Sequence, residues 1–405
     1  MNLFKFLKRL KYFLLRKIRN LIYASLSIIF KFLDTVFPKQ KNLIAFTQKN
    51  NLFSDNSRAF FEHIIKNNIE LVPVWFVGNK TQKEIFHKKF GYTNVKIISS
   101  IDGLITLLKA KTVVVSNSLH DFFPFFSPST RKEAIQLWHG IKWTKKFEYP
   151  NYNFTKELTI ICASSEEHKT LISLGNKISL DKIFITGLPR NDKFFSITKD
   201  NYFNNLPVTF KKDFLKKVIL YAPTHRENLI SIFFPFKDKN LEKFNNFLKD
   251  NNAIIYLRPH INDTNKATLE WKDYFDQINQ SQIKSLTFDK FQDIHQLLPL
   301  LNSVITDYSA IYTDVMLLNM PMVFIPYDIE WYEKKRGLVY DYNEVTAGDK
   351  VLNQSDLIQS LKKIFDNENN HYKKLTKIKK KFHQFEDGLS SKRIVEILKS
   401  RLNLI

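Results

Sequence analysis

The sequence predicts an α/β protein: two Rossmann-like domains with parallel sheets facing a cleft, preceded by a basic amphipathic helix. Three observations predict it. Short β-rich apolar runs alternate with polar, helix-like segments. That alternation stops at an asparagine- and lysine-rich break near residues 196–212 and restarts beyond it. The first 33 residues are basic and aromatic, without one carboxylate. The expected divisions are a helix over 1–40, one domain over 41–200 and another over 201–405, a length that suits two domains.

In the N-terminal stretch Lys5, Lys8, Arg9, Lys11, Arg16, Lys17, Arg19 and Lys31 are interleaved with Phe, Leu, Ile and Tyr. The longest uncharged run, Asn20 to Phe30, is shorter than the ~20 apolar residues that cross a bilayer. No small-residue cleavage site follows it, which argues against a secretory signal. A helix of this composition suits an anionic membrane surface. The alternatives are a helix docked on the protein's own core and an RNA-binding arm.

The formal net charge of +22, from 62 basic and 40 acidic residues, favours anionic partners: nucleic acid, an anionic membrane or a phosphorylated substrate. The single cysteine, Cys162, excludes an intramolecular disulfide, fits a reducing compartment and, within the apolar "LTIICA", reads as a buried structural thiol.

The first set of runs is "NLIAFT", "LVPVWFV", "VKII", "TVVVS", "AIQLW", "LTIICA" and "KIFITG"; the second is "KVILYAP", "AIIYLRP", "SVITD" and "PMVFI". Ligands of open parallel sheets lie beyond the carboxyl ends of the strands. His139 and Gly140 follow "AIQLW", where the histidine suits a general base or phosphate contact at a tight turn. Thr224, His225 and Arg226 follow "KVILYAP". Arg258 and His260 flank Pro259, and an Arg-Pro-His at a strand end suits phosphate recognition, as does Arg226. Asp307, Tyr308 and Ser309 follow "SVIT", with Ser309 placed as the cap of a helix whose free amides suit a phosphate.

Each residue also has a plainer reading. His139 could be a satisfied histidine under a loop, and Ser309 a cap that binds nothing. The arginines could pair with neighbouring carboxylates, and Asp307 and Asp314 could only hold turns. Lys142, Lys145 and Lys146 attract phosphate or form a solvated face. No phosphate loop, dinucleotide fingerprint or CxxC pair is present, and the histidines lack metalloprotease spacing. No metal site and no cofactor is read from these residues, and metal dependence stays open. Without an RNA-binding signature, no nucleic acid is expected as a partner.

Collected together, "QLWHG", "TGLPRND", "LYAPTHRE", "LRPH", the long block "ITDYSAIYTDVMLLNMPMVFIPYDIEWYEKKRGLVYDY" and "EDGLSSKRIVEIL" resemble the CDP-glycerol glycerophosphotransferase family, the membrane-associated teichoic-acid primases and polymerases. The likeness runs from about Gln136 to Leu398 and is most specific from Ile305 to Tyr342. It implies a GT-B-like fold, with an acceptor domain followed by a CDP-donor domain. The implied reaction passes a polyol phosphate from a CDP-polyol to an acceptor hydroxyl and releases CMP.

By the same resemblance His139 and His260 are the active-site histidines, His139 as the base. Arg226, Arg258, Asp307, Ser309, Arg336 and Gly337 belong to the donor phosphates, and Gly140 and Lys142 to the acceptor or its turn. The chain departs from the family in "IKWTKK" after Trp-His-Gly, in Ala310 where a second serine is common, in His225 where an aromatic residue is usual, and around Gly348.

The chain length resembles the short primase type. The implied partners are CDP-glycerol or CDP-ribitol, an undecaprenyl-diphosphate-linked glycan acceptor and an anionic membrane at its cytoplasmic face, in teichoic-acid or capsule synthesis. Two other readings compete: a glycosyltransferase of the same fold using a nucleotide sugar, and a non-catalytic membrane-surface or RNA-binding protein.

Overall fold

A computed structural model describes residues 3–49, 52–67, 69–122, 126, 128–141, 157–226, 232–260, 276–368 and 370–404, with the backbone alone for 3–14 and 16. Two parallel sheets form its frame. The first contains β1 (Gln40–Phe46), β2 (Val72–Val77), β3 (Val95–Ile97), β4 (Ala110–Val115), β5 (Glu133–Gln136), β6 (Ile160–Ala163) and β7 (Ile183–Ile185), in the order β3-β2-β1-β4-β5-β6-β7. The second contains β8 (Lys217–Tyr221), β9 (Ala253–Leu257), β10 (Ile283–Ser285), β11 (Ser303–Thr306), β12 (Met322–Phe324) and β13 (Asp349–Lys350), in the order β10-β9-β8-β11-β12-β13. Each order reverses once, between β1 and β4 and between β8 and β11. Those reversals open the crevices in which such sheets hold ligands.

The eleven apolar runs all lie on strands, because a parallel sheet covered on both faces needs continuous Val, Ile and Phe rather than alternation. Separate apolar clusters cover the two faces of each sheet. Strands β10 and β13 have no such signal, being three and two residues long at sheet edges and half-exposed over most of their length. Side-chain caps start the covering helices: Ser100 accepts from the Gly103 amide, Ser165 from His168 and Asn353 from Asp356. Cys162 is fully buried, and burial pushes its thiol up to about 12.

The N-terminal helix spans Leu3–Val36, and the buried ones among its described side chains, Phe30 and Asp34, lie in its last turns. Phe30 packs on Phe126, with ring centroids 5.6 Å apart. The buried Asp34 carboxylate accepts from Lys39 at 2.8 Å and from the Ser129 amide at 2.8 Å, and pairs with the buried Lys132 at 2.9 Å. Leu15, Ile18, Leu21, Ile22, Ile28, Ile29 and Phe32 remain exposed. Among the described residues no helix is long and apolar enough to cross a membrane.

The last helix, Ser390–Leu402, departs from the expected 201–405 unit. Its Ile394, Val395, Leu398 and Leu402 complete the core of the first sheet. Its start is capped by Asp192, which accepts the Ser390 and Ser391 amides at 2.9 and 2.8 Å. At Gly187, with φ +83°, a Cβ would lie 2.3 Å from the Ser390 hydroxyl. The "TGLPRND" and "EDGLSS" segments, where the chain leaves the first domain and returns to it, thus lie side by side.

Candidate active site

The crevice of the second sheet is built around Asp307, at the end of β11. Its Oδ1 accepts from the Thr224 amide and hydroxyl at 2.8 and 2.6 Å, which ties the loop after β8 to the loop after β11. Its Oδ2 accepts from Arg226 Nη1 at 2.6 Å. Arg226 Nε and Nη2 reach both oxygens of Asp328 at 3.0 and 2.8 Å, and its cation lies 5.2–6.0 Å from the rings of Tyr308, Tyr327 and Tyr332. The Arg226 guanidinium is thus buried between two carboxylates, with Asp307 and Asp328 as its counter-charges.

Arg258 is also turned inward. It donates to the carbonyls of Leu286, Thr287, Phe291 and Gln292 at 2.6–3.2 Å and lies 4.4 Å from the Phe288 ring. Burial pushes its guanidinium down to about 10. These bonds hold the 286–292 segment against the end of β9. His260, next beyond Pro259, is exposed, and His225 stacks on it with centroids 5.1 Å apart and planes inclined by 25°.

His139 is exposed three residues beyond the end of β5, and the backbone on either side of it is contorted. Trp138 has φ +60° and Gly140 has φ +140°. A Cβ at Gly140 would lie 3.0 Å from Ala310 Cβ, so only glycine lets this loop lie against the residue after Ser309. The Trp-His-Gly turn of one domain therefore rests on the Asp-Tyr-Ser loop of the other. Ser309 is half-buried, and its hydroxyl accepts from the Ile311 amide at 3.5 Å, at the start of the helix Ile311–Met316.

Arg336 ends the helix Ile329–Arg336, and Gly337 caps it at φ +67°. That helix is tied to the crevice by Tyr332, whose ring lies 3.9 Å from that of Tyr308. Lys142 and the lysines after it lie outside the described residues.

The folded chain adds an ionic cluster between the domains. Arg190, after β7, pairs with Asp55 at 2.7 Å and with Asp314 at 2.6 Å. Asp314 also accepts from Asn191 at 3.1 Å and contacts His295 Nε2 at 3.2 Å, while Asp293 lies 3.4 Å from His295 Nδ1 and 3.5 Å from Arg58. Burial acts to raise the Asp314 carboxyl, but Arg190 and His295 outweigh it and hold it well below the usual carboxylate range. "TGLPRND" marked this region in the sequence without assigning Arg190 a partner.

For His295, burial and Arg190 disfavour the proton; Asp293 and Asp314 outweigh them and raise its pKa. Its contribution to stability is then full below the unfolded value near 6.5 and is lost as pH rises through the raised folded value. The unfolding midpoints of wild type and His295→Gln are expected to differ in mild acid and to converge above that transition. A gap independent of pH removes the protonated histidine from the cluster.

The chain matches the profile of the family described as CDP-Glycerol:Poly(glycerophosphate) glycerophosphotransferase over residues 29–400. A teichoic acid glycerol-phosphate transferase of Staphylococcus aureus is 27% identical, over 94% of this chain and 98% of that one. A teichoic acid poly(glycerol phosphate) polymerase of Bacillus spizizenii is 28% identical, over 95% and 98%. A poly(ribitol-phosphate) polymerase of the same species is 28% identical over 69% of this chain, which spans only 45% of that longer relative.

In fold, a variant of the wall teichoic acid polymerase TagF soaked with CDPG is similar with TM-score 0.73, at 20% identity and over 98% and 97% of the two chains. An S. aureus MnaA–UDP co-structure reaches a TM-score of 0.57 at 15% identity, over 90% and 98%. With both sheets and every loop at the crevice inside the matched span, the chain belongs to the CDP-glycerol:poly(glycerophosphate) glycerophosphotransferase family.

Proposed function

We propose that this enzyme moves a polyol phosphate, glycerol phosphate first among candidates, from a CDP-polyol to the hydroxyl of a membrane-linked glycan or polyol-phosphate acceptor. The acceptor oxygen attacks the phosphorus that bears the polyol, the bond from that phosphorus to the CMP oxygen breaks, and CMP leaves. His139 takes the hydroxyl proton, since a neutral hydroxyl is a poor nucleophile. His260, aligned by the His225 ring, and Ser309 with the amides after it meet the donor phosphates, where negative charge grows on departing CMP. Arg226, Arg258 and Asp307 act behind this surface as braces.

One observation carries the reading: Gly140 lies against Ala310, so the loop bearing His139 and the loop bearing Ser309 face one crevice from opposite domains. The test is CMP release by the purified protein on liposomes carrying a lipid-linked disaccharide, with CDP-glycerol, CDP-ribitol and nucleotide sugars offered singly. Acceptor-dependent release with a CDP-polyol supports the proposal and names the donor. Turnover of a nucleotide sugar alone would make the protein a glycosyltransferase and withdraw these roles.

In this proposal the acceptor rides on an undecaprenyl diphosphate at the cytoplasmic face of the membrane, and the N-terminal helix lies on the anionic lipid. Its exposed Leu21, Ile28 and Phe32, beside Lys17, Arg19 and Lys31, suit the headgroup boundary. Deleting residues 1–33, which spares the Asp34 anchor, is expected to release the protein from anionic liposomes yet preserve turnover on a soluble acceptor analogue. Undiminished sedimentation with the liposomes would move the membrane contact elsewhere, such as the lysine-rich helix Tyr372–Phe382.

A further inference from the structure

Arg190 stands where the chain leaves the first domain, in the turn Pro189–Asn191 after β7. Its side chain is buried and every polar edge is engaged. Nη1 donates to Asp55 at 2.7 Å; Nε and Nη2 donate to the two oxygens of Asp314 at 3.3 and 2.6 Å. Asp55 opens the helix Asp55–Lys66 of the first domain, and Asp314 lies in the helix that follows the Asp-Tyr-Ser loop of the second.

The backbone continues the same connection. The Arg190 amide donates to Asn56 Oδ1 at 3.0 Å, and Asn56 Nδ2 donates to the Trp138 carbonyl at 2.8 Å, at the residue held at φ +60°. A Cβ on Gly140 would lie 3.3 Å from Arg190 Nη2. One guanidinium thus touches the loop that presents His139 and holds the helix that follows Ser309.

This is more than glue between domains. The two chain crossings are already stitched by Asp192 to Ser390 and Ser391, and by Ser164, whose hydroxyl donates to the Phe382 carbonyl at 2.7 Å and whose carbonyl accepts from the Gln384 amide at 2.8 Å. Among these links, Arg190 is distinguished by reaching the crevice. A guanidinium fork on a carboxylate fixes angle as well as distance, whereas an ammonium fixes distance alone.

We propose that Arg190, clamped by Asp55 and Asp314, is a positioning residue that sets the separation and angle between the His139 loop and the Ser309 loop, and so the geometry of transfer. The inference rests on the transfer reading of this crevice. An in-line displacement tolerates little misalignment, and a shift of about 1 Å costs about 10²-fold in rate.

The test compares Arg190→Lys, Asp314→Asn and the double variant by steady-state kinetics. Each single variant is expected to lose about a hundredfold in kcat with the donor KM within about twofold, because the affected interaction acts on alignment. The double variant should fall no further than the worse single one. Lys96→Ala, which removes a surface pair with Asp102 far from the crevice loops, should match wild type. Retained kcat in folded Arg190→Lys, a loss confined to KM, or additive losses in the double variant would each overturn the proposal. If Arg190→Lys fails to fold, Asp55→Asn leaves the Asp314 fork intact; it should lose about tenfold in kcat, and an unaltered kcat overturns the proposal equally.

A second readout needs no turnover. Spin labels at Lys88→Cys and Lys362→Cys, exposed on helices of the two domains, report the interdomain distance, and the buried Cys162 stays unlabelled. Arg190→Lys is expected to broaden the distance distribution, and an unchanged distribution overturns the latch. Wild-type silence with every donor would sink the transfer reading, while this distance would still decide the latch.

Discussion

His139→Ala is expected to reduce CMP release by about 10²–10⁴-fold while CDP-polyol binding stays nearly intact. The histidine is exposed, and the residues on both sides of it carry positive φ, so the backbone is bent to present this one side chain. A proton acceptor contributes in the chemical step, when the acceptor oxygen attacks, and contributes little to holding the nucleotide. Single-turnover CMP release and calorimetric titration with CDP-glycerol separate the two effects. An unchanged rate removes His139 from the mechanism; lost donor binding with it would reassign the residue to the donor.

Arg226→Ala is expected to act on folding rather than on donor affinity alone. The substitution leaves the buried Asp307 and the half-buried Asp328 without their shared cation, and breaking the buried Asp307 pair from one side costs about 3–5 kcal/mol. Asp307 also orders Thr224 and Tyr308, so the loss should spread through both loops of the crevice. Thermal unfolding of the ligand-free protein should show a lowered transition for the second domain. Arg226→Lys should rescue little, since one ammonium cannot span both carboxylates. A ligand-free protein as stable as wild type, with only donor binding weakened, would return Arg226 to the phosphate site.

The strand segments and the polar residues that follow them were legible because both follow from local pattern, whereas the strand order appears only in the folded sheets. Doubly covered parallel strands demand apolar runs, and a crevice at their carboxyl ends demands that something polar follow them. His139, His260 and Ser309 were singled out this way. Arg226 and Arg258 were found too, as residue types at the right ends, but their direction was not legible. Arg226 meets Asp307 and Asp328 across 81 and 102 residues, and Arg258 meets carbonyls 28–34 residues away.

The ionic cluster between the domains was the least legible part. Arg190 and Asp314 are 124 residues apart, in segments whose own spacing does not set the gap between them. The same holds for the return of the last helix to the first sheet, where Asp192 caps an amide 198 residues further on.

Local sequence therefore specified the two-sheet architecture, the basic leading helix and the loops that carry the candidate site residues. The closed fold specified which arginines brace and which side chains face the crevice. Periodicity records how each element buries its own face, whereas a charged side chain takes its partner from whatever the packed domains bring within about 4 Å.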